Sequence, residues 1–254
     1  MAPDTTGELG DVLCIWAHPD DEAYLSAGLM MRAIDAGRRA VCVTATKGEA
    51  GFPDDDPRSL AERSRIREAE LAACLAILGV TEHRWLGYAD GGCAGVDDKE
   101  AAQAIAAIVD EVRPDTVLTF GPDGGTGHSD HIAICRWTTA AMTRAGHQAR
   151  LLYATKTVQW SDRFFNNTDP SRVMMVEGLQ PERVDESDVD IHFACDERLL
   201  ARKVAALRAQ ASQVEPFLQG FGLEHYTALV REEFFRTPVP TDPEFIERAR
   251  TLGH

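Results

Sequence analysis

Residues 16–22 read Trp-Ala-His-Pro-Asp-Asp-Glu and bring one imidazole and three carboxylates together within five positions. The apolar run at 12–16 is short enough to be a buried strand, and the apolar spacing over 23–36 predicts an amphipathic helix. The stretch therefore spans a turn from a strand into a helix, where open α/β sheets place their ligand sites. Burying so many like charges requires a cation, so a metal site is expected here.

Two side chains of this stretch are suited to hold one metal ion. His18 and Asp21 are three positions apart and can point the same way from the first turn of a helix. Asp20 then faces differently and stays free for proton transfer. The alternative is that the acids only cap the helix or complement its dipole, although a cap needs neither two adjacent acids nor a histidine and a proline.

Strand-like and helix-like segments alternate through the first two thirds of the chain. Predicted strands are 39–46, 83–86, 116–120 and 151–155, and predicted helices are 60–78, ending at Gly79, 99–112 and 132–145. This alternation predicts an α/β, Rossmann-like fold with a mainly parallel sheet and helices on both faces.

The pattern is less regular after residue 155. Expected there are an irregular aromatic segment at 160–169, marginal strands at 173–177 and 189–194, and helices at 197–213 and 224–235. We therefore expect a single domain over 1–254, with a core at about 11–155 and a C-terminal α/β elaboration at about 156–254.

A second cluster of histidines and acids follows the strand predicted at 116–120. Residues 121–131 read Gly-Pro-Asp-Gly-Gly-Thr-Gly-His-Ser-Asp-His, which supplies His128 and His131 with Asp130 between them. Taken alone, such a pair favours surface residues at a helix N-terminus. Two His/Asp clusters at equivalent strand ends instead favour one shared metal site.

Composition excludes several classes of protein. The formal net charge of −15 over 254 residues argues against a nucleic-acid partner and against binding to acidic membranes. Six cysteines without a C-x-x-C pair are typical of reduced core residues. Residues 1–10 lack an apolar signal core and no apolar run is long enough to span a bilayer, so we expect a cytoplasmic protein without membrane insertion.

The two clusters together resemble the PIG-L/LmbE-like family of zinc-dependent de-N-acetylases. The resemblance rests on Ala-His-Pro-Asp-Asp-Glu at 17–22 and Gly-His-Ser-Asp-His at 127–131. Further matching segments are Thr-Lys-Gly-Glu at 46–49, Arg67 and Glu70 ahead of Leu-Gly at 78–79, Leu-Gly-Tyr-Ala-Asp-Gly at 86–91, and Ala-Gln-Ala-Ser-Gln at 209–213. They cover roughly residues 11 to 215 in matching order, which makes chance a poor explanation.

The resemblance implies a hydrolase that removes an N-acyl group, typically the N-acetyl of a glucosamine joined to a group such as an inositol. It implies Zn²⁺, with Fe²⁺ as the alternative ion, held by His18, Asp21 and His131. Asp20 is then the general base and His128 lies beside the developing oxyanion. Asp130 would orient a histidine, and Arg67 and Asp90 would contact the sugar.

Two further positions bear on this expectation. Glu49 is a candidate for the pocket rim, because its loop follows a strand end near the first cluster, although loop capping explains it nearly as well. Some sugar deacetylases of the family carry Tyr immediately before the Gly-His pair, where this chain has Thr126. A tyrosine-assisted oxyanion site is therefore in doubt.

The chemistry of the residues agrees with a hydrolase. Two imidazoles and one carboxylate leave a coordination position open, as in catalytic zinc sites. Zinc lowers the pKa of bound water to about 7, so hydroxide can attack an amide while Asp20 takes the proton. The expected partner is a small N-acylated amino sugar or glycoconjugate, and a homo-oligomer is compatible with this.

Three alternatives stay open at this point. The first is an amidase that acts on a different N-acyl conjugate. The second is a non-haem Fe(II) oxygenase, because the same donors suit ferrous iron. The third is a non-catalytic metal- or sugar-binding protein, against which the unligated Asp20 argues.

Overall fold

The computed structural model describes residues 9–165 and 174–252. Within these residues the strands are β1 (Val12–Trp16), β2 (Ala40–Thr46), β3 (Glu82–Tyr88), β4 (Thr116–Phe120), β5 (Arg150–Thr155), β6 (Ile191–Ala194) and β7 (Glu232–Arg236). They form one sheet in the order β3-β2-β1-β4-β5-β7-β6. The first five are mutually parallel, whereas β7 is antiparallel to both β5 and β6.

Helices cover this sheet. Those of the described residues are α1 (Asp21–Leu25), α2 (Ala27–Asp35), α3 (Leu60–Leu78), α4 (Asp98–Val112), α5 (Ser129–Met142), α6 (Val158–Phe165), α7 (Glu197–Ala209), α8 (Ala211–Phe221), α9 (Leu223–Leu229) and α10 (Asp242–Leu252). One group packs α2, α3 and α7 together, and another packs α4 and α10 against α5. Every residue of β1, β2 and β4 is buried, so both faces of the central sheet are covered. Across the described residues no helix is long and apolar enough to cross a membrane.

The direction of winding changes between β1 and β4. From β1 the chain proceeds outward through β2 to β3, and then returns to add β4 on the other side of β1. Such a switch leaves a crevice at the carboxyl ends of the two strands. The loops that leave these ends carry residues 17–20 and 121–128, so the two clusters of the sequence meet there.

The predicted α/β fold is confirmed, and so are the elements whose ends are set by local signals. The helix at 60–78 begins after Ser59, which forms a capping box with Glu62, and it ends at Gly79 with φ 80°. The strand at 116–120 is also as predicted. The helix expected over 23–36 is instead two helices, because the backbone of Ser26 leaves the helical conformation.

Several predictions for the C-terminal third are wrong. The helix predicted at 197–213 divides into α7 and α8 at Gln210, and α6 overlaps the first part of the segment expected to be irregular at 160–169. Residues 174–177 form no strand, and residues 166–173 lie outside the described part of the chain. The helix predicted at 224–235 is α9 followed by β7.

The charged strand β7 is stable in the sheet because its charges are paired by residues distant in sequence. Glu233 contacts Lys203 at 2.6 Å, and both side chains are fully buried. Glu233 also accepts hydrogen bonds from the backbone N–H groups of Gly28 and Leu29, at 2.7 and 3.0 Å. It therefore satisfies the N-terminus of α2, a role that the local sequence does not reveal.

Candidate active site

The three predicted metal ligands converge at the crevice. His18 Nδ1 lies 3.1 Å from His131 Nε2. Asp21 Oδ2 lies 3.8 Å from His18 Nδ1, and Asp21 Oδ1 lies 3.6 Å from His131 Nε2. Tetrahedral coordination at about 2.1 Å places ligand atoms about 3.4 Å apart. The two histidine nitrogens are therefore spaced like ligands of one small cation, and each has an Asp21 oxygen nearby, Oδ2 beside His18 and Oδ1 beside His131.

The hydrogen bonds behind the two imidazoles fix which nitrogen faces the site. His131 Nδ1 lies 2.9 Å from the carbonyl oxygen of Gly124, so Nδ1 carries the proton and donates. His18 Nε2 lies 3.0 Å from Asp90 Oδ1 and 3.2 Å from Asp130 Oδ2, so it is also the protonated nitrogen. The two facing nitrogens then both present lone pairs, which require a cation or a proton between them. This donor set fits a divalent metal ion.

Local packing holds these ligands in place. The His131 ring stacks on Phe120 at the end of β4, with centroids 4.1 Å apart and an interplanar angle of 16°. Asp21 Oδ2 accepts a hydrogen bond from the backbone N–H of His18 at 2.8 Å. Without a metal, burial disfavours the His18 cation, but hydrogen bonds to Asp130 and Asp90 outweigh burial and raise the pKa of His18 to about 10. Burial lowers the pKa of His131 to about 4.

Asp20 stands beside the ligands in an unusual backbone conformation. Its φ is 109°, and such a conformation costs a non-glycine residue about 1–3 kcal/mol. The peptide group before it is held at both ends, because Arg67 Nη2 donates to the Pro19 carbonyl and the Asp20 N–H donates to Glu22 Oε2 at 3.0 Å. Burial raises the pKa of Asp20 well above its usual range, although the Arg67 charge opposes this.

His128 caps the N-terminus of α5. Its Nδ1 accepts a hydrogen bond from the backbone N–H of Asp130 at 3.1 Å, so Nε2 is the protonated nitrogen of a neutral ring. Burial and the nearby His18 also lower the pKa of His128. Nε2–H is then the donor that this ring offers. Its ring lies 4.7 Å from that of His18 and 5.0 Å from that of His131, centroid to centroid.

The remaining predicted acids lie behind the ligands. Asp130 is fully buried, contacts His18, and accepts from the backbone N–H groups of Gly91 and Cys93 at 2.8 and 3.0 Å. Asp90 accepts from the backbone N–H of Ala50 at 2.7 Å and contacts His18. Both acids thus orient His18 and not His128.

Glu49 contacts the loop that carries Asp90. Its Oε1 accepts a hydrogen bond from the Asp90 backbone N–H at 3.1 Å. Its Oε2 is buried and has no hydrogen-bond partner among the described residues. A buried carboxylate oxygen without a partner is costly, which is consistent with a ligand group that donates to it.

Arg67 is almost completely buried, with 2% of the residue exposed. Besides Pro19, its guanidinium reaches the Gly48 carbonyl at 3.3 Å and Asp20 Oδ2 at 3.3 Å. A Cβ at Gly48 or Gly51 would lie 2.8 Å from a guanidinium atom, so both glycines make room for it. These contacts hold the Asp20 turn against the loop after β2.

Two residues missed in the sequence support the site from behind. Glu22 is fully buried, and its Oε1 accepts from Gln210 Nε2 at 2.6 Å and from Cys74 Sγ at 3.2 Å. Burial raises the pKa of Glu22 to about 7. The signal for Glu22 was its place in the first cluster, and that for Gln210 was the 209–213 segment of the family resemblance.

A cavity of about 370 Å³ opens on one side of the ligands. Asp21 and His131 line one part of it, and Thr126 stands on its wall where some relatives carry Tyr. Lys156 and Trp160 also line it, and neither was singled out as a binding residue from the sequence. Asp20, Arg67, Asp90 and Glu49 are not among its lining residues.

Solved structures with this fold catalyse more than one reaction. An N,N'-diacetylchitobiose deacetylase from Pyrococcus horikoshii matches with a TM-score of 0.59 and 22% identity, over 94% of this chain and 87% of its own. The 4-carboxy-2-hydroxymuconate hydratase GalB from Pseudomonas putida matches with a TM-score of 0.62 and 15% identity, over 91% and 97%. At these identities the likeness establishes the fold alone.

Sequence relatives are more specific. A 1D-myo-inositol 2-acetamido-2-deoxy-alpha-D-glucopyranoside deacetylase from Catenulispora acidiphila is 33% identical over 83% of this chain and 82% of its own length. The PIG-L family model, described as GlcNAc-PI de-N-acetylase, matches residues 13–145, more than half of the chain and both His/Asp clusters. The chain therefore belongs to the PIG-L family.

Proposed function

We propose that this protein is a metal-dependent hydrolase that removes an N-acyl group, N-acetyl in the simplest case, from a small molecule containing an amino sugar. The observation that carries the proposal is the facing pair of ring nitrogens, His18 Nδ1 and His131 Nε2, 3.1 Å apart, beside the carboxylate of Asp20. The deacetylase named among the relatives supports the same reaction.

His18, Asp21 and His131 would hold the metal, and Zn²⁺ is the ion we propose. When bound, zinc polarises a carbonyl and lowers the pKa of water to about 7. Fe²⁺ accepts the same donors, so metal content and activity after reconstitution with each ion decide between them. Loss of all amide hydrolysis on chelation, with recovery on adding Zn²⁺, is the expected result.

Asp20 is the proposed general base. Arg67 contacts one of its carboxylate oxygens, which leaves the other to receive a proton from the attacking water. The raised pKa of Asp20 favours this task, because a base works best when its pKa is near the working pH. The same carboxyl group can then return the proton to the leaving amine.

His128 is the proposed donor to the acyl oxygen. The Asp130 backbone N–H occupies Nδ1, so Nε2–H is the group available to donate as negative charge develops on that oxygen. Thr126 lines the neighbouring cavity, and we propose no oxyanion role for it.

The amino sugar is proposed to bind on the side of Glu49. Its unpartnered buried Oε2 is suited to accept a hydrogen bond from a sugar hydroxyl. Asp90 and Arg67 were expected to contact the sugar as well. Because their polar atoms already bind His18 and Pro19, we propose that they act on the substrate mainly through the residues they hold.

The test is product analysis with metal-loaded protein and N-acetylglucosaminyl-inositol. The proposal expects acetate and free amine in equal amounts and no consumption of oxygen. Oxygen uptake with Fe²⁺ would instead indicate an oxygenase, and tight sugar binding with no product would indicate a binding protein. Release of amine only from larger N-acyl conjugates would indicate an amidase.

We further propose that the chain acts as a single domain in the cytoplasm. Its six cysteines are buried and unpaired, which agrees with a reducing compartment. The sheet combines strands from the proposed core with β6 and β7 of the C-terminal elaboration, which supports one cooperative unit. Sedimentation analysis would decide whether this unit forms a homo-oligomer.

A further inference from the structure

The cavity beside the ligand cluster is much larger than an acetyl group. Its volume of about 370 Å³ corresponds to roughly a dozen water-sized groups at about 30 Å³ each. An acetyl group has only three non-hydrogen atoms. Much of the cavity wall is apolar, with Leu25, Phe120, Val158 and Phe165 among the lining residues. Such a wall suits an acyl chain better than a sugar, whose hydroxyl groups need hydrogen-bond partners.

One part of the cavity carries a cation without a counter-ion. Lys156 follows β5, and its Nζ lies 4.6 Å from the ring centroid of Trp160 and 5.9 Å from that of Phe234. No described carboxylate lies within ion-pair distance of this ammonium group. Glu233 pairs with Lys203 instead, at 2.6 Å, and Glu232 pairs with Arg163, at 2.8 Å. An unpaired cation lining a cavity is notable in a chain with a net charge of −15.

A second group in the same wall lacks a partner. Trp160 is only 6% exposed, and its indole Nε1 has no hydrogen-bond partner among the described residues. Indole can only donate a hydrogen bond. An anion that bound Lys156 would supply an acceptor for a buried donor that otherwise has none.

Besides the proposed ligand Asp21, two buried or half-buried acidic side chains of the wall are already engaged, and the remaining one, Asp162, is exposed. Asp123 accepts from the backbone N–H groups of Gly125 and Glu182, at 2.8 Å each. Glu182 in turn contacts Arg236 and accepts from Thr155 Oγ1 at 3.0 Å. These partners leave Lys156, together with Arg183 of the same wall, as a positive charge that a ligand can neutralise. Burial and the Lys203 charge lower the pKa of Lys156 to about 8, so it still carries a proton at neutral pH.

The sheet determines how far this cation lies from the ligands. Lys156 follows the end of β5, and β5 pairs directly with β4, whose last residue Phe120 stacks on His131. Adjacent strands are about 4.8 Å apart. Lys156 and His131 therefore line the same cavity from neighbouring strands, which places the cation and the ligand cluster at two parts of one binding space.

From this arrangement, and resting on the proposed hydrolase function, we propose that the cavity binds the acyl part of the substrate and that Lys156 and Trp160 recognise a carboxylate at its end. The preferred substrate is then an amino sugar bearing an ω-carboxyacyl group, such as glutaryl. Hydrolysis adds water across the amide bond and yields the free amine and a dicarboxylic acid. No oxidant or further reactant is needed.

The test compares N-glutaryl with N-(5-methylhexanoyl) glucosaminyl-inositol, in which an isopropyl group replaces the carboxylate at equal size. For the zinc-loaded wild-type protein we expect kcat/KM to be at least tenfold higher for the glutaryl substrate. Lys156→Met should reduce that ratio to near one, and Trp160→Phe, which removes the N–H together with the five-membered ring, should reduce it about threefold. Lys47→Met is the matched control, because Lys47 also lies over a tryptophan ring, 5.9 Å from Trp85, but pairs with Glu68. It should keep the wild-type ratio.

A binding measurement keeps this inference separate from the proposed function. Calorimetric titration of N-glutaryl glucosaminyl-inositol into the Asp20→Asn variant should give a Kd about tenfold lower than for the Asp20→Asn, Lys156→Met double variant. Tight Lys156-dependent binding without turnover by the wild-type protein would contradict the hydrolase but support the site. A ratio of one in the wild-type protein, or equal Kd values in the two variants, would overturn the inference.

Discussion

Gln210 donates a hydrogen bond from Nε2 to Glu22 Oε1 at 2.6 Å, across 188 positions of sequence. The other oxygen of Glu22 accepts from the backbone N–H of Asp20 at 3.0 Å. The junction of α7 and α8 thereby supports the strained residue proposed as the base. This relationship explains why a helix remote from the site in sequence bears on catalysis.

Replacing Glu22 by Leu should reduce kcat about tenfold or more. The change leaves the buried Asp20 N–H without an acceptor, which costs about 1–3 kcal/mol and relaxes the φ of 109°. Glu22→Gln should stay within about threefold of wild type, because Gln210 Oε1, which has no partner among the described residues, can accept from the new amide once the Gln210 amide rotates. The measurement is kcat at equal metal content. Wild-type kcat in Glu22→Leu with full metal would contradict the supporting role.

His128→Ala should lower kcat about 10²- to 10³-fold while metal content is retained. That loss is typical for removal of one donor to a developing oxyanion, and His128 is not needed as a ligand in this account. The ring nitrogens of His18, His128 and His131 do lie within 4.8 Å of one another. Stoichiometric metal in the variant supports the donor role, whereas loss of metal would make His128 a ligand instead.

Asp90→Asn should weaken metal affinity about 10- to 100-fold, the usual effect of removing a carboxylate that orients a ligating histidine. Asp90 Oδ1 lies 3.0 Å from His18 Nε2. Competition with a chelating dye measures the affinity, and Asp97→Asn is the control, because it removes a charge at the N-cap of α4 but keeps an oxygen that accepts from the Glu100 N–H. Unchanged affinity in Asp90→Asn would mean that Asp130 alone orients His18.

His83 should make the protein less stable in mild acid. Burial lowers the pKa of His83 from 6.5 to about 4, so below pH 6.5 the unfolded chain binds a proton that the folded one excludes. The free energy of unfolding is therefore unaffected by His83 above pH 6.5, and it decreases as the pH falls from 6.5 towards 4. Urea unfolding of wild-type and His83→Gln protein at pH 7 and pH 4.5 checks this. The variant should lose less stability between the two, and equal losses would refute the prediction.

A structural feature can be predicted from the sequence when the residues that determine it are close to it in the chain. The limits of α3 follow from Ser59, Glu62 and Gly79, all within or beside the helix, and the two His/Asp clusters follow strand ends that the apolar pattern indicates. Parallel strands bring such ends together, so the meeting of His18 with His131 could be predicted from the order of elements.

Features that depend on residues distant in the chain could not be predicted from the sequence. The charged strand β7 depends on Lys203 and on the N-terminus of α2. The protonation of His18 depends on Asp90 and Asp130, which three-dimensional contacts alone reveal. Lys156 carries no sequence signal, because its importance lies in the absence of a described counter-ion within the cavity.

The most direct test of the account is amine release by zinc-loaded wild-type and Asp20→Asn protein from N-acetylglucosaminyl-inositol, with bound zinc measured in both samples. We predict one zinc ion per chain in each protein and a loss of about 10²- to 10⁴-fold in kcat for the variant, the range typical of removing a general base. Equal rates at equal zinc content would contradict the assignment of Asp20 and, with it, the proposed mechanism.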